Sequence, residues 1–138
     1  MNNKIKTITP KALTSQAFSA FGDVIEAHDD NHKIAINDGY TQRYHDLAEV
    51  DVNDQGGRAL INIFRSTPLP QPKGDFDVSQ LQVFIAQSNQ GVNYHKGTWH
   101  HFCLALGGES DFLVIDRGGE GDNCDVVTLD GSLVIATS

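Results

Sequence analysis

Positive charge is what this 138-residue chain has least of: ten Lys and Arg stand against 18 Asp and Glu, a formal net charge of −8. A protein that must neutralise phosphates or anionic headgroups carries the opposite bias, so nucleic-acid and membrane-surface roles are set aside. Long apolar runs are missing too. Phe112–Ile115 is among the longest, far short of a membrane span, and the opening Met1–Lys6 has no stretch of signal-peptide length, which reads as a cytoplasmic chain. The two cysteines, Cys103 and Cys124, lie in unrelated contexts and form neither a CxxC pair nor a disulfide framework, so both read as free, inert thiols. Proline is confined: Pro68, Pro70 and Pro72 fall together and leave one elsewhere. What remains is a length suited to one domain and 39% hydrophobic residues, enough for a core without disulfide or structural-metal staples.

Local patterns divide the chain into short elements. Leu13, Ala17, Phe18 and Phe21 recur at helical spacing, with Thr14 or Ser15 as a cap and Gly22 as a stop, which predicts a short helix. Asp23–Glu26 and Ile34–Ile36 read as strands separated by the polar stretch Ala27–Lys33, and Asn37-Asp38-Gly39 is turn chemistry. Gly57–Arg65 alternates Leu60, Asn62 and Phe64 against Ala59, Ile61 and Ile63, the pattern of a central strand. The prolines near 68–77 exclude any regular element there. Val78, Leu81, Phe84 and Ile85 then share one helical stripe behind Asp77, predicting a second helix over Asp77–Ala86. From Gly91 onward, short apolar runs broken by glycines about every ten residues predict an all-β sandwich or barrel.

Three clusters carry chemistry. In Asn93–His101, half of the six histidines fall within seven residues. A strand over Thr98–Leu106 would turn His100 to one face and His101 to the other, so only one of them could reach a given cavity. An inward imidazole at a barrel mouth suits Zn, Ni or Fe, because neutral nitrogen donors match borderline metals. The second cluster, Gln42-Arg43-Tyr44-His45-Asp46, combines a fixed cation, a phenol, an imidazole and a carboxylate. Such a set can bind a small carboxylate, since the Arg fork grips two oxygens at once. The third, Asp116–Asp125, resembles a phosphate cradle only in its glycines. It lacks a Lys-Ser/Thr pair, and four acidic residues in ten would repel phosphate. It reads as a glycine-rich turn in which Asp116 or Arg117 has room for a role. No GxSxG, HExxH or Cys–His nucleophile arrangement is present.

At Ala17–Glu26, Arg43–Leu47, Gln90–His95, Trp99–His101, Asp111–Gly119 and Asp122–Asp125 the chain resembles, in order and over most of its length, the ureidoglycolate lyase family of allantoin breakdown. The resemblance implies a cupin-like β-barrel with two short helices, a homodimer, and release of urea from (S)-ureidoglycolate to leave glyoxylate. It also implies a divalent metal, nickel in some bacterial members. The run His95–His100 is similar to the second cupin motif, with His100 as the metal ligand. Family members carry roughly thirty further residues at the Pro-rich junction, including the first cupin motif, and this sequence passes from Phe64–Pro70 to the next element without them.

The leading expectation is therefore a lyase in which a metal held by His100 lowers the pKa of the substrate hydroxyl and orients the leaving group. His95 and His45 are the candidate proton-transfer residues, and Arg43, Tyr44 and Asp116 the candidate substrate-binding residues. The alternatives are a non-catalytic small-carboxylate-binding cupin and an inactive remnant.

Overall fold

The structure, a computed structural model, describes residues 6–68, 80–103, 105–126 and 133–135. The junction expected near 68–77 lies almost wholly outside these residues. In chain order the elements are strands β1 (Lys6–Ile8) and β2 (Lys11–Ala12), helix α1 (Ser15–Phe18), and strands β3 (Gly22–Ile25), β4 (Lys33–Ile36), β5 (Thr41–Tyr44), β6 (Arg58–Ser66), β7 (Phe84–Ile85), β8 (Gly91–Tyr94), β9 (Ser110–Gly118) and β10 (Leu133–Ile135). The described residues are mainly β. None of their ladders exceeds two strands, so they do not by themselves close a barrel. No described helix is long and apolar enough to cross a membrane.

Two compact units divide the chain. One comprises residues 12–50 and 84–99. Its helix starts as the sequence predicts: Thr14 is extended, and its Oγ1 accepts a hydrogen bond from Ala17 N at 3.1 Å. Leu13, Phe18 and Val24 form its buried core, with Phe21, Phe84 and Val92 packed against them. Phe18 is the hub. Its ring lies 5.3 Å from Phe84 edge-on, and 5.7 and 5.8 Å from Phe21 and Tyr94, separations at which aromatic pairs attract beyond simple burial. Gln90 ties this core together, donating from Nε2 to Leu13 O at 3.0 Å and to Glu26 Oε2 at 2.7 Å. The strands β3 and β8 run antiparallel, as do β4 and β5. Between the latter, Asn37, Asp38 and Gly39 all take positive φ, the backbone that the Asn-Asp-Gly turn favours.

The other unit comprises residues 1–11, 51–83 and 100–138. Its main feature is a nine-residue antiparallel ribbon, β6 against β9, in register from Arg58↔Gly118 to Ser66↔Ser110. The predicted alternation holds: Ile61, Ile63, Leu113 and Ile115 share one face, and Leu60, Asn62, Val114 and Asp116 the other. One end is clamped by Arg65, which donates from Nε and Nη2 to the two carboxylate oxygens of Asp111 at 2.7 and 2.9 Å. That fork holds the Asp111 carboxyl below the usual carboxylate range. At the other end Arg117 donates to Asp54 O, Glu120 O and Asn123 Oδ1, organising the glycine-rich turn. A parallel pairing joins β1 to β10.

Three sequence expectations change. Strand β6 has one partner among the described residues, where a central strand has two, and Ile61 and Leu113 remain 74% and 70% exposed. The second helix does not form over 80–86, where β7 stands instead. Phe84 is drawn into the Phe18 core, and such a tertiary contact overrides a weak helical stripe. No strand forms in the described part of Thr98–Leu106, which removes the alternation argument that set His100 against His101.

Phe18→Ala should cost roughly 3–5 kcal/mol in chemical denaturation, because it opens a cavity inside the aromatic cluster. Phe64→Ala, at a side chain 51% exposed, should cost clearly less.

Candidate functional site

In the unit of residues 12–50 and 84–99, the paired strands present polar groups around an open concavity of about 420 Å³. Its wall begins at β3 and β8. Gly22 pairs with Tyr94 and Asp23 with Asn93, so Asp23 and Asn93 share a face. Asn93 Nδ2 donates to Asp23 Oδ2 at 3.1 Å and to Glu49 O at 3.0 Å. One residue beyond the strand, His95 N donates to Phe21 O at 2.9 Å, and His95 Nε2 stands 3.4 Å from Asp23 Oδ1. The Asp23 carboxylate thus meets an amide and an imidazole at once.

Close approach of the two strands requires glycine at position 22. Gly22 is buried, and a Cβ there would run into the Asn93 carbonyl and come within 2.9 Å of Tyr94 Cα. Sequence reading gave Gly22 to the end of a helix; its role is this contact.

The opposite wall comes from β4 and β5. Their register pairs Lys33 with Tyr44, and the next backbone hydrogen bond, His45 N to His32 O at 2.9 Å, carries the pairing one step further. The two imidazoles meet edge to face, with ring centroids 5.5 Å apart. His45 Nδ1 is shielded from solvent and has no hydrogen-bond partner among the described residues. Asp46 follows with φ +57°, a left-handed conformation that a side chain other than glycine rarely takes. His32, His45, Asp46, Asp23 and His95 all line the concavity, with Ser15 and Ser19 of the α1 segment.

Of the residues singled out by sequence, His45 and His95 are brought together. Arg43 and Tyr44 lie on β5, which leads directly into His45; Arg43 is exposed, and Tyr44 is half-buried with Lys33 Nζ 5.7 Å above its ring. Asp116 and His100 belong to the other unit. There Asp116 Oδ2 accepts from Asn62 Nδ2 at 3.2 Å, and His100 is exposed on an irregular segment. Sequence reading missed Asp23 and His32 as lining residues, and named Asp46 only as the carboxylate of its second cluster. The signal for Asp23 lay in the segment Ala17–Glu26. For His32 it lay in the polar stretch set aside as a connection.

The divalent ion that the resemblance implies can be tested against the donors. Among the described residues no three His, Cys, Asp or Glu side chains gather to hold a metal ion, so they do not fit that group. What does converge is a set of imidazoles and carboxylates lining one concavity, the equipment of acid–base chemistry on a small molecule.

A mainly β domain with an imidazole–carboxylate concavity is thus the class defined by fold and site. The family model described as ureidoglycolate lyase matches residues 5–73 and 69–136, and the chain belongs to the ureidoglycolate lyase family. It is 42% identical to a ureidoglycolate lyase of Burkholderia mallei, with 94% of this chain and 93% of that protein covered. The corresponding protein of Pseudomonas syringae pv. tomato is 39% identical, with 88% and 89% covered. That of Burkholderia cepacia is 38% identical, with 86% and 84% covered. The first alignment runs over 159 positions, while 94% of 138 residues is about 130, so about thirty positions are filled by the relative alone.

Gly22→Ala should destabilise the protein by roughly 1–3 kcal/mol, because the new Cβ meets backbone and not a flexible side chain. Gly91→Ala, whose Cβ would sit 3.7 Å from Ile25, should stay within about 1 kcal/mol of the parent in the same melts.

Proposed function

We propose that the chain releases urea from (S)-ureidoglycolate and leaves glyoxylate, a step of allantoin and purine nitrogen breakdown. The observation that carries this reading is the convergence of His45 and His95 on one concavity in a member of this family. In the reaction a base removes the hydroxyl proton of the carbon that bears the ureido group. That oxygen's electron pair forms the carbonyl, the C–N bond breaks, and its pair goes to the departing nitrogen, which takes a proton to become urea. His95, oriented by Asp23, is the base; His45 is the acid for the leaving nitrogen. Arg43 receives the substrate carboxylate, with Tyr44 beside it.

A divalent ion such as nickel, with His100 as one ligand, would need further donors from outside the described residues, so the proton steps are assigned to side chains of the concavity. Asp116 supports the ribbon through Asn62, and no step of the reaction is assigned to it. The two family-model matches meet at residues 69–73, which supports placing the thirty-position shortfall at the Pro-rich junction. A homodimer in the cytoplasm completes the reading; the exposed face of Ile61, Ile63, Leu113 and Ile115 is a surface suited to a second copy. The shortfall also favours a second reading, binding without turnover, in which the purified chain would bind a small acid and release no urea.

Urea release from (S)-ureidoglycolate by the purified chain tests the proposal. His95→Gln should lower kcat at least a hundredfold, and Arg43→Lys should raise KM severalfold with kcat little changed. Activity should survive a chelator; its loss and return with nickel would move the chemistry to a metal.

A further inference from the structure

The concavity has a chemical polarity of its own. Asp23 and Asp46 supply carboxylates, His32, His45 and His95 supply imidazoles, and among the described residues no lysine or arginine lines it. A carboxylate placed there would face two like charges with no fixed cation to offset them. A ureido group is uncharged and carries three N–H donors around one carbonyl acceptor. Carboxylate oxygens accept such donors through charge-assisted hydrogen bonds, and an imidazole N–H can serve the carbonyl.

We propose that this concavity seats the ureido end of the substrate, against Asp46 and Asp23, and that the anionic end points outward, away from these carboxylates. The assignment rests on the lyase reading for the identity of the molecule, and on the lining alone for its orientation. It follows that the concavity's share of the affinity comes from the ureido group, and that a small hydroxy acid without one does not occupy the concavity.

N-carbamoylglycine and glycolate separate the two ends. The first has the ureido and carboxylate groups but no hydroxyl, so it cannot release urea; the second has carboxylate and hydroxyl but no ureido group. In NMR titrations of the full chain, N-carbamoylglycine should shift the ring resonances of His32, His45 and His95, and glycolate at equal concentration should leave them in place. Asp46→Asn, which keeps size and tolerates the left-handed backbone, should weaken N-carbamoylglycine binding at least fivefold with an unchanged melting temperature. Equal shifts with glycolate, no shift with either compound, or unchanged affinity in Asp46→Asn would overturn the assignment. Turnover of ureidoglycolate in the same preparation tells the two readings apart. Turnover with unmoved rings removes the ureido seat and keeps the lyase, whereas moved rings without urea release keep the seat and remove the lyase.

Discussion

The candidate site depends on how closely two backbones approach each other at Gly22. Because that residue has no side chain, β3 lies against β8 with the Asn93 carbonyl in the space a Cβ would fill. The register that follows puts Asp23 opposite Asn93 and leaves His95 one step beyond the strand, its amide held by Phe21 O. A shift of one residue would turn Asp23 to the opposite face of the strand, because side chains alternate with a period of two. The Phe18 cluster and Gln90 then fix the unit around that register. The core is thus the support of an imidazole–carboxylate pair rather than a separate matter of stability.

The two units spend their residues differently. One buries Leu13, Phe18 and Val24 and gathers polar groups around an opening. The other is dominated by a ladder whose ends are pinned by arginines, Arg65 through a fork onto Asp111 and Arg117 through backbone carbonyls of the adjoining turns. Arg117 shows why an arginine in a glycine-rich segment need not address a ligand. Its guanidinium donors are taken by Asp54, Glu120 and Asn123, and the glycines let the chain fold around it. Among the residues of the concavity, by contrast, His45 keeps one nitrogen without a partner among the described residues.

Much of this was legible in the sequence where a signal is local. The cap at Thr14, the Asn-Asp-Gly turn, the alternation of β6 and the turn after β9 each follow from residues a few positions apart. Family membership was legible from dispersed segments that keep their order. What could not be read were outcomes set by distant partners. The stripe through Phe84 has helical spacing, yet its ring is needed by Phe18, which lies 66 residues earlier, and the strand state wins. Thr98–Leu106 alternates well enough for a strand but finds no ladder partner in its described part. Asp23 lies in a segment that marks the family and His32 in a polar connection, but neither is singled out there; they become neighbours of His95 and His45 only through the pairings of β3 with β8 and β4 with β5.

The ribbon bears on how molecules of this protein behave toward one another in bulk. Among the described residues β6 and β9 pair only with each other, so each has an outer edge of backbone groups open to a further strand, beside a face of exposed Ile and Leu side chains. Neither edge carries a lysine, the residue that most often discourages such pairing. The counterweight is the net charge of −8, a repulsion whose reach shrinks from about 30 Å at 0.01 M salt to about 8 Å at physiological ionic strength. Colloidal stability is therefore a property of the solvent as much as of the chain, greatest in dilute buffer and least near the isoelectric point of about 5.0.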